Sequence, residues 1–131
     1  PFLDRFDLTV EIPLLPKGAL SGPGDRGESS RTIRERVLRT QHIQLTRCGK
    51  LNAHLDSREI EQHCRLSSQD AHFLEEAIHQ LGLSLRAWHK ILRVARTVAD
   101  MNQEATLQRR HLAEALGYRA MDRLFKRLHI P

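Results

Sequence analysis

The sequence predicts a mainly α-helical bundle preceded by a short strand-like segment and a flexible linker. Three observations carry that prediction. Apolar residues recur at three- and four-residue spacing from about residue 30 onward. Serine, threonine or aspartate opens each main periodic stretch and glycine closes several of them, the residue types that satisfy the free amides and carbonyls of helix ends. Ahead of these stretches, proline and glycine crowd a segment that can continue neither a ladder nor a helix.

The elements follow in chain order. Phe2, Asp4, Phe6, Leu8, Val10 and Ile12 fall on one parity, and Thr9 and Val10 suit extended backbone, so Phe6 to Ile12 reads as a strand. Pro13, Pro16, Gly18, Gly22, Pro23, Gly24 and Gly27 then mark a linker. A lone strand lacks a hydrogen-bonding partner in a chain that otherwise reads helical, and the chain opens on Pro1. Both features lead to the expectation that residues 1–15 are the end of a larger neighbouring domain, 16–28 a linker and 29–131 a helical domain.

Ser29 or Ser30 caps a helix to about Arg47, with Ile33, Val37, Leu38 and Leu45 as its apolar positions and Cys48-Gly49 as its stop. Asp56 with Glu59 forms a capping-box start for a short helix to about Cys64, and Ser67 with Asp70 starts another. In that helix Ala71, Leu74, Ala77, Ile78 and Leu81 form the inner stripe, and Gly82 stands where a left-handed residue is wanted. Ser84 caps the longest helix, to about Asn102, whose buried stripe is Trp88, Ile91, Leu92, Ala95, Val98 and Ala99. Thr106 caps a helix with Leu107, Leu112, Ala115 and Leu116 inward and Gly117 at its end; Arg119 to Leu128 reads as one more. The short connections make neighbouring helices largely antiparallel.

Composition bounds the partners. The 131 residues carry 21 Lys and Arg against 16 Asp and Glu, a net charge of +5, with eight histidines besides, which favours an acidic partner such as phosphate or nucleic acid. No apolar run approaches the roughly 20 residues of a membrane span, and no secretory signal pattern occurs. Cys48 and Cys64 are too few for a disulfide framework, so the expected compartment is reducing, the cytoplasm.

Among candidate functional residues, Arg86 falls in the first turn of the longest helix, where the exposed amides disfavour a cation by about 0.3–1 kcal/mol. An incoming phosphate would satisfy guanidinium and amides together. His89, Lys90, Arg93 and Arg96 or Thr97 continue a positive stripe at spacings of three and four. A solvated face with Arg86 paired to a carboxylate fits the same spacing. Arg5, between apolar residues before the strand, also offers a donor fork suited to a phosphoryl group, with Asp4 or Asp7 as its alternative, structural mates. Arg31, Arg34, Arg36 and Arg39 form a basic helix able to touch a nucleic-acid backbone, and Glu35 can pair with Arg39 within it. Cys48, His54, His63 and Cys64 match no standard zinc spacing, so no metal ligands are assigned, and His72, His79 and His111 read as surface or boundary histidines. No nucleophile–base pair and no G-x-x-x-x-G-K-[ST] phosphate loop is visible, so the chain by itself is not expected to hydrolyse nucleotide.

The run Gly82-Leu83-Ser84-Leu85-Arg86-Ala87-Trp88-His89-Lys90-Ile91-Leu92-Arg93-Val94-Ala95-Arg96-Thr97-Val98-Ala99-Asp100 resembles the C-terminal signature of magnesium-chelatase-like AAA+ ATPases, especially the bacterial ComM/YifB competence group. Leu3-Asp4-Arg5-Phe6-Asp7-Leu8, Gly49-Lys50-Leu51-Asn52-Ala53-His54-Leu55, and His111-Leu112-Ala113-Glu114-Ala115-Leu116 with Tyr118-Arg119 look like the same group, and together they cover almost the whole chain. The resemblance implies that residues 1–15 end an AAA+ core and that 29–131 form its helical lid. It makes Arg86 a sensor-2 arginine reaching ATP phosphates and Arg5 an arginine finger offered to a neighbouring subunit. It further implies a homo-hexamer, ATP with Mg2+ bound by the core, and action on DNA in branch migration during natural transformation; a chelatase subunit and an autonomous DNA-binding module are the alternatives. Trp88 stands where tyrosine is common in the group, and Gly117 where a polar helix former is usual.

Overall fold

A computed structural model describes residues 5–22 and 27–119. Among these residues five α-helices, α1 Ser30–Cys48, α2 Ser57–His63, α3 Ser68–Gln80, α4 Leu85–Met101 and α5 Arg109–Gly117, follow one another, with a 3-10 turn at Asn52–His54 between α1 and α2. The expected mainly α bundle is therefore what the chain forms. The reading of a last helix over Arg119 to Leu128 lies, apart from Arg119, outside the described residues.

The caps explain most boundaries. The Ser29 hydroxyl accepts from the Thr32 amide at 3.1 Å, the Asp56 carboxylate from the Glu59 amide at 2.9 Å, and the Ser67 hydroxyl from the Asp70 amide at 3.1 Å. The Glu59 side chain answers by accepting from the Asp56 amide, completing the box. Gly49, at φ 73°, ends α1 in the left-handed conformation that an L side chain resists. α5 starts two residues later than Thr106 suggests, with Gln108 as its N-cap. Leu107 is buried, and the amide of the N-cap residue Gln108 donates to His111 Nδ1 at 2.9 Å, so the imidazole supplies the returning half of a capping box. Because Nδ1 accepts, the ring proton sits on Nε2, 3.3 Å from Glu104 Oε2. His111 is thus a fully buried core residue and not a boundary histidine.

α4 is the axis of the domain. Ala87, Ile91, Leu92, Ala95 and Ala99 pack with Leu55, Ile60, Cys64, Leu74, Leu107, Leu112 and Ala115 into one core that draws on α2, α3 and α5. Fully burying each large aliphatic side chain contributes about 1.5–3 kcal/mol, so these contacts dominate the fold. Trp88 is only half-buried; Ala87 takes the inward place at that end of the helix.

One expectation is corrected. Phe6 to Ile12 is not a strand: no ladder occurs among the described residues, because nothing there offers a paired edge. The segment instead lies along the helices. Thr9 donates to the Tyr118 carbonyl through both its amide, at 2.7 Å, and its hydroxyl, at 2.9 Å. The apolar positions of α1 are not its buried ones. Ile33, Val37, Leu38 and Leu45 are 43–52% exposed, and the buried residues of α1 are Thr40 and Gln44. Leu38 and Leu45, seven apart, share a face turned away from α4. Polar bonds at the far end of the helix set that rotation.

Candidate functional site

Those bonds converge on Asp100, which is 1% exposed. Its Oδ2 accepts from Asn52 Nδ2 at 2.9 Å and from Arg47 Nη1 at 3.1 Å; its Oδ1 accepts from Arg47 Nη2 and, at 3.1 Å, from Arg96 Nε. Arg96, itself buried, also donates to the carbonyls of Ala105 at 3.1 Å and Glu104 at 2.7 Å. Asn52 reaches Thr97 Oγ1 at 3.1 Å, and the Asn52 amide donates to Gln44 Oε1 at 2.9 Å. One carboxylate therefore ties α1, the 3-10 turn, α4 and the α4–α5 loop together. The sequence reading passed over this knot. A signal for it existed: an anion in the last turn of a helix opposes the carbonyl end of the macrodipole, and α4 has no basic residue in that turn.

At the opposite end of α4, Arg86 is exposed, and no ion pair or hydrogen bond engages its guanidinium among the described residues. Ser84 precedes it as N-cap but makes no side-chain bond to the first-turn amides. Leu85 and Arg86 N–H groups have no intrahelical acceptor by construction, so donors of two kinds face outward together. The arrangement suits an anion with several oxygens, such as a phosphate.

The remaining basic stripe is used internally. Lys90 Nζ pairs with Asp7 Oδ1 at 3.3 Å, Arg93 donates twice to the Leu55 carbonyl at 3.2 and 3.0 Å, and Arg96 belongs to the knot. Lys90, one turn beyond Arg86 on α4, engages the Asp7 carboxylate, one of the two alternative mates of Arg5. Arg5 is exposed, without a bonded partner among the described residues, while Asp4 lies outside them.

On α1 the four candidate arginines do not act as one stripe. Arg36 holds Glu28 through two bonds of 2.9 and 3.0 Å, which keep that carboxyl below the usual carboxylate range. Arg31 pairs with Glu35 at 3.4 Å, so Glu35 turns to Arg31 and not to Arg39. Arg34 and Arg39 are exposed. At about 100° per residue, Arg34 and Arg36 lie on nearly opposite sides of the helix.

Among the described residues no three His, Cys, Asp or Glu side chains gather to hold a metal ion, and no helix is long and apolar enough to cross a membrane. Cys64 lies in the core, where burial pushes its thiol up to about 11.

Residues 27–119 match the family described as magnesium chelatase, subunit ChlI C-terminal. The chain is 58% identical over 128 residues, 98% of its length, to the competence protein ComM of Haemophilus influenzae, of which it covers 25%. It is 55% identical over 124 residues to the uncharacterized protein YifB of Escherichia coli, of which it covers 24%, and 31% identical over 123 residues to an uncharacterized protein of Mycobacterium tuberculosis. The chain thus spans about a quarter of the length of the curated relatives it matches.

Proposed function

Because the chain belongs to the magnesium chelatase subunit ChlI C-terminal family, we propose that it is the helical lid of a hexameric AAA+ ATPase of the ComM group, a motor acting on DNA. In this reading Arg86 is the lid's contact to ATP phosphates, and Arg5 is the finger presented to the neighbouring subunit. The observation that supports it most directly is the contrast along α4: Lys90, Arg93 and Arg96 are engaged internally, whereas Arg86 is exposed at a helix start that no side chain caps.

The residues present fit the anionic part of the cofactor. ATP, when bound with Mg2+ in the core, would supply the phosphoanhydride that is cleaved. Arg86 and the Leu85 and Arg86 amides would bind and orient phosphate oxygens, and a positive helix N-terminus favours negative charge there. No carboxylate cluster among the described residues would hold the Mg2+, which is left to the core. A guanidinium supplied at developing phosphoryl charge is worth about 10³–10⁵ in rate in related NTPases, the scale on which Arg5 would act in trans. The Pro- and Gly-rich stretch over 16–28 would serve as the hinge through which nucleotide state changes the lid's angle.

The test is ATP turnover by the full-length polypeptide. Arg86→Ala should lower kcat/KM for ATP at least tenfold while the lid's helix content, read by circular dichroism, stays unchanged. Normal turnover in that variant rejects the assignment. The 131-residue chain alone should show no ATPase activity. The observations do not favour a DNA-binding role for α1, because Arg31 and Arg36 are paired and the arginines are dispersed around the helix.

A further inference from the structure

We infer that Arg47 and Asp100 are positioning residues for Arg86: their ion pair sets the angle between α1 and α4, and so where the exposed arginine is presented. The inference rests on the reading of Arg86 given above.

The argument begins with how differently the two helices are held. α4 is locked by apolar burial against α2, α3 and α5. α1 contributes no apolar side chain to the buried core, its Cys48 alone packing partly against it; its buried positions are Thr40 and Gln44, and its large aliphatic residues are 43–52% exposed. Between α1 and α4 runs a groove of about 270 Å3, lined by Val37, Gln41, Leu51, Thr97 and Met101 among others. Apolar packing therefore leaves the α1–α4 angle underdetermined. What remains is directional and polar: the two-pronged Arg47–Asp100 pair and the Gln44 bond to the Asn52 amide. A guanidinium fork on a carboxylate fixes orientation as well as distance, which a sliding aliphatic contact does not.

The placement of the two ends gives this a consequence. α1 is the first helix after the 16–28 stretch, so it is the helix through which the chain enters the bundle, while Asp7 and Thr9 ahead of that stretch touch Lys90 and the Tyr118 carbonyl. Arg86 is at the start of α4 and Asp100 near its end, about 21 Å apart along a rigid helix. With α4 held against α2, α3 and α5, a small change of angle at the knot becomes a displacement of the guanidinium relative to α1 and the chain that precedes it. Loosening the knot reduces the fraction of molecules that present Arg86 correctly, and apparent nucleotide affinity falls by that fraction.

The experiment is a double-mutant cycle on ATP turnover by the full-length polypeptide, with Arg47→Gln, Arg86→Ala and both together. Arg47→Gln should raise KM for ATP about fivefold, more than it lowers kcat, as expected if the competent fraction falls to about one fifth. The same substitution in the Arg86→Ala background should change KM by less than twofold, because the pair acts only through that arginine. An equal rise in both backgrounds overturns the inference in favour of general loosening of the lid. So does an unchanged KM in Arg47→Gln when Arg86→Ala alone is impaired; if Arg86→Ala is normal, the sensor reading itself fails. Arg47→Lys, which keeps the charge but not the fork, covers the case in which Arg47→Gln does not fold, and should show a smaller rise of the same kind. A second measurement uses the 131-residue chain itself, with spin labels at Leu38→Cys on α1 and His89→Cys on α4 in a Cys48→Ser background. Arg47→Gln should broaden the label-to-label distance distribution, and an unchanged distribution overturns the inference.

Discussion

Asp100→Ala removes the acceptor on which four donor contacts converge, and its cost can be worked from the geometry. Deleting one partner of a buried ion pair costs about 3–5 kcal/mol, because the charge left behind is desolvated without compensation. Here the two arginines are not equally stranded. The Arg47 side chain is 20% exposed and can turn to water, whereas Arg96 is 3% exposed and keeps its bonds to the Glu104 and Ala105 carbonyls. The buried Asn52 amide loses one of its two acceptors and keeps Thr97. The loss therefore falls near the lower end of the range, about 3 kcal/mol, and for a domain of this size lowers Tm by roughly 10 °C. Urea unfolding followed at 222 nm should show a lower midpoint with an unchanged slope, the signature of a change in stability without a change in the surface exposed. A loss under about 1 kcal/mol, the worth of a surface pair, would refute the claim that this carboxylate organises the bundle.

Other outcomes follow from individual groups. Gly49→Ala meets no neighbouring atom but must adopt φ 73°, so it should destabilise by about 1–2 kcal/mol in the same unfolding assay. The bond from the Glu59 amide holds the Asp56 carboxyl below its ordinary value of 3.8. Its contribution to stability is complete above that value and is lost as pH falls through the lower folded-state one, so wild type should lose more stability between pH 7 and pH 3 than Asp56→Asn, whose amide caps without ionising. With its thiol pushed up to about 11, Cys64 should stay unmodified by a thiol reagent at pH 8 while half-exposed Cys48 reacts, and Cys64 should become reactive only on unfolding. Fast modification of both would contradict the buried placement.

Local chemistry made most of the fold legible. Ser29, Asp56 and Ser67 each cap the helix their position announces, and the α4 stripe lies inward at Ile91, Leu92, Ala95 and Ala99 because one strongly amphipathic helix has only one way to bury that face. The buried face of α1 was not legible, because its aliphatic residues are spread over more than one face. Periodicity cannot say which face a neighbour covers when polar bonds at one end decide the rotation. The strand reading failed for a related reason: alternation describes a pattern that suits a sheet, and a sheet edge must come from elsewhere. The site was half legible. Arg86 stands out as a cation at a helix N-terminus, yet the same spacing argument grouped it with Lys90, Arg93 and Arg96, and only coordinates separate one exposed guanidinium from three side chains held internally.

The amino-acid order alone determined helix starts, helix ends, the main buried stripe and family kinship, since each depends on residues within a few positions of one another or on a contiguous motif. Tertiary structure decided which charges meet. Asp100 lies 53 positions from Arg47 and 48 from Asn52, and the low-dielectric interior that makes their contact strong exists only once α1 and the 3-10 turn have closed on the end of α4.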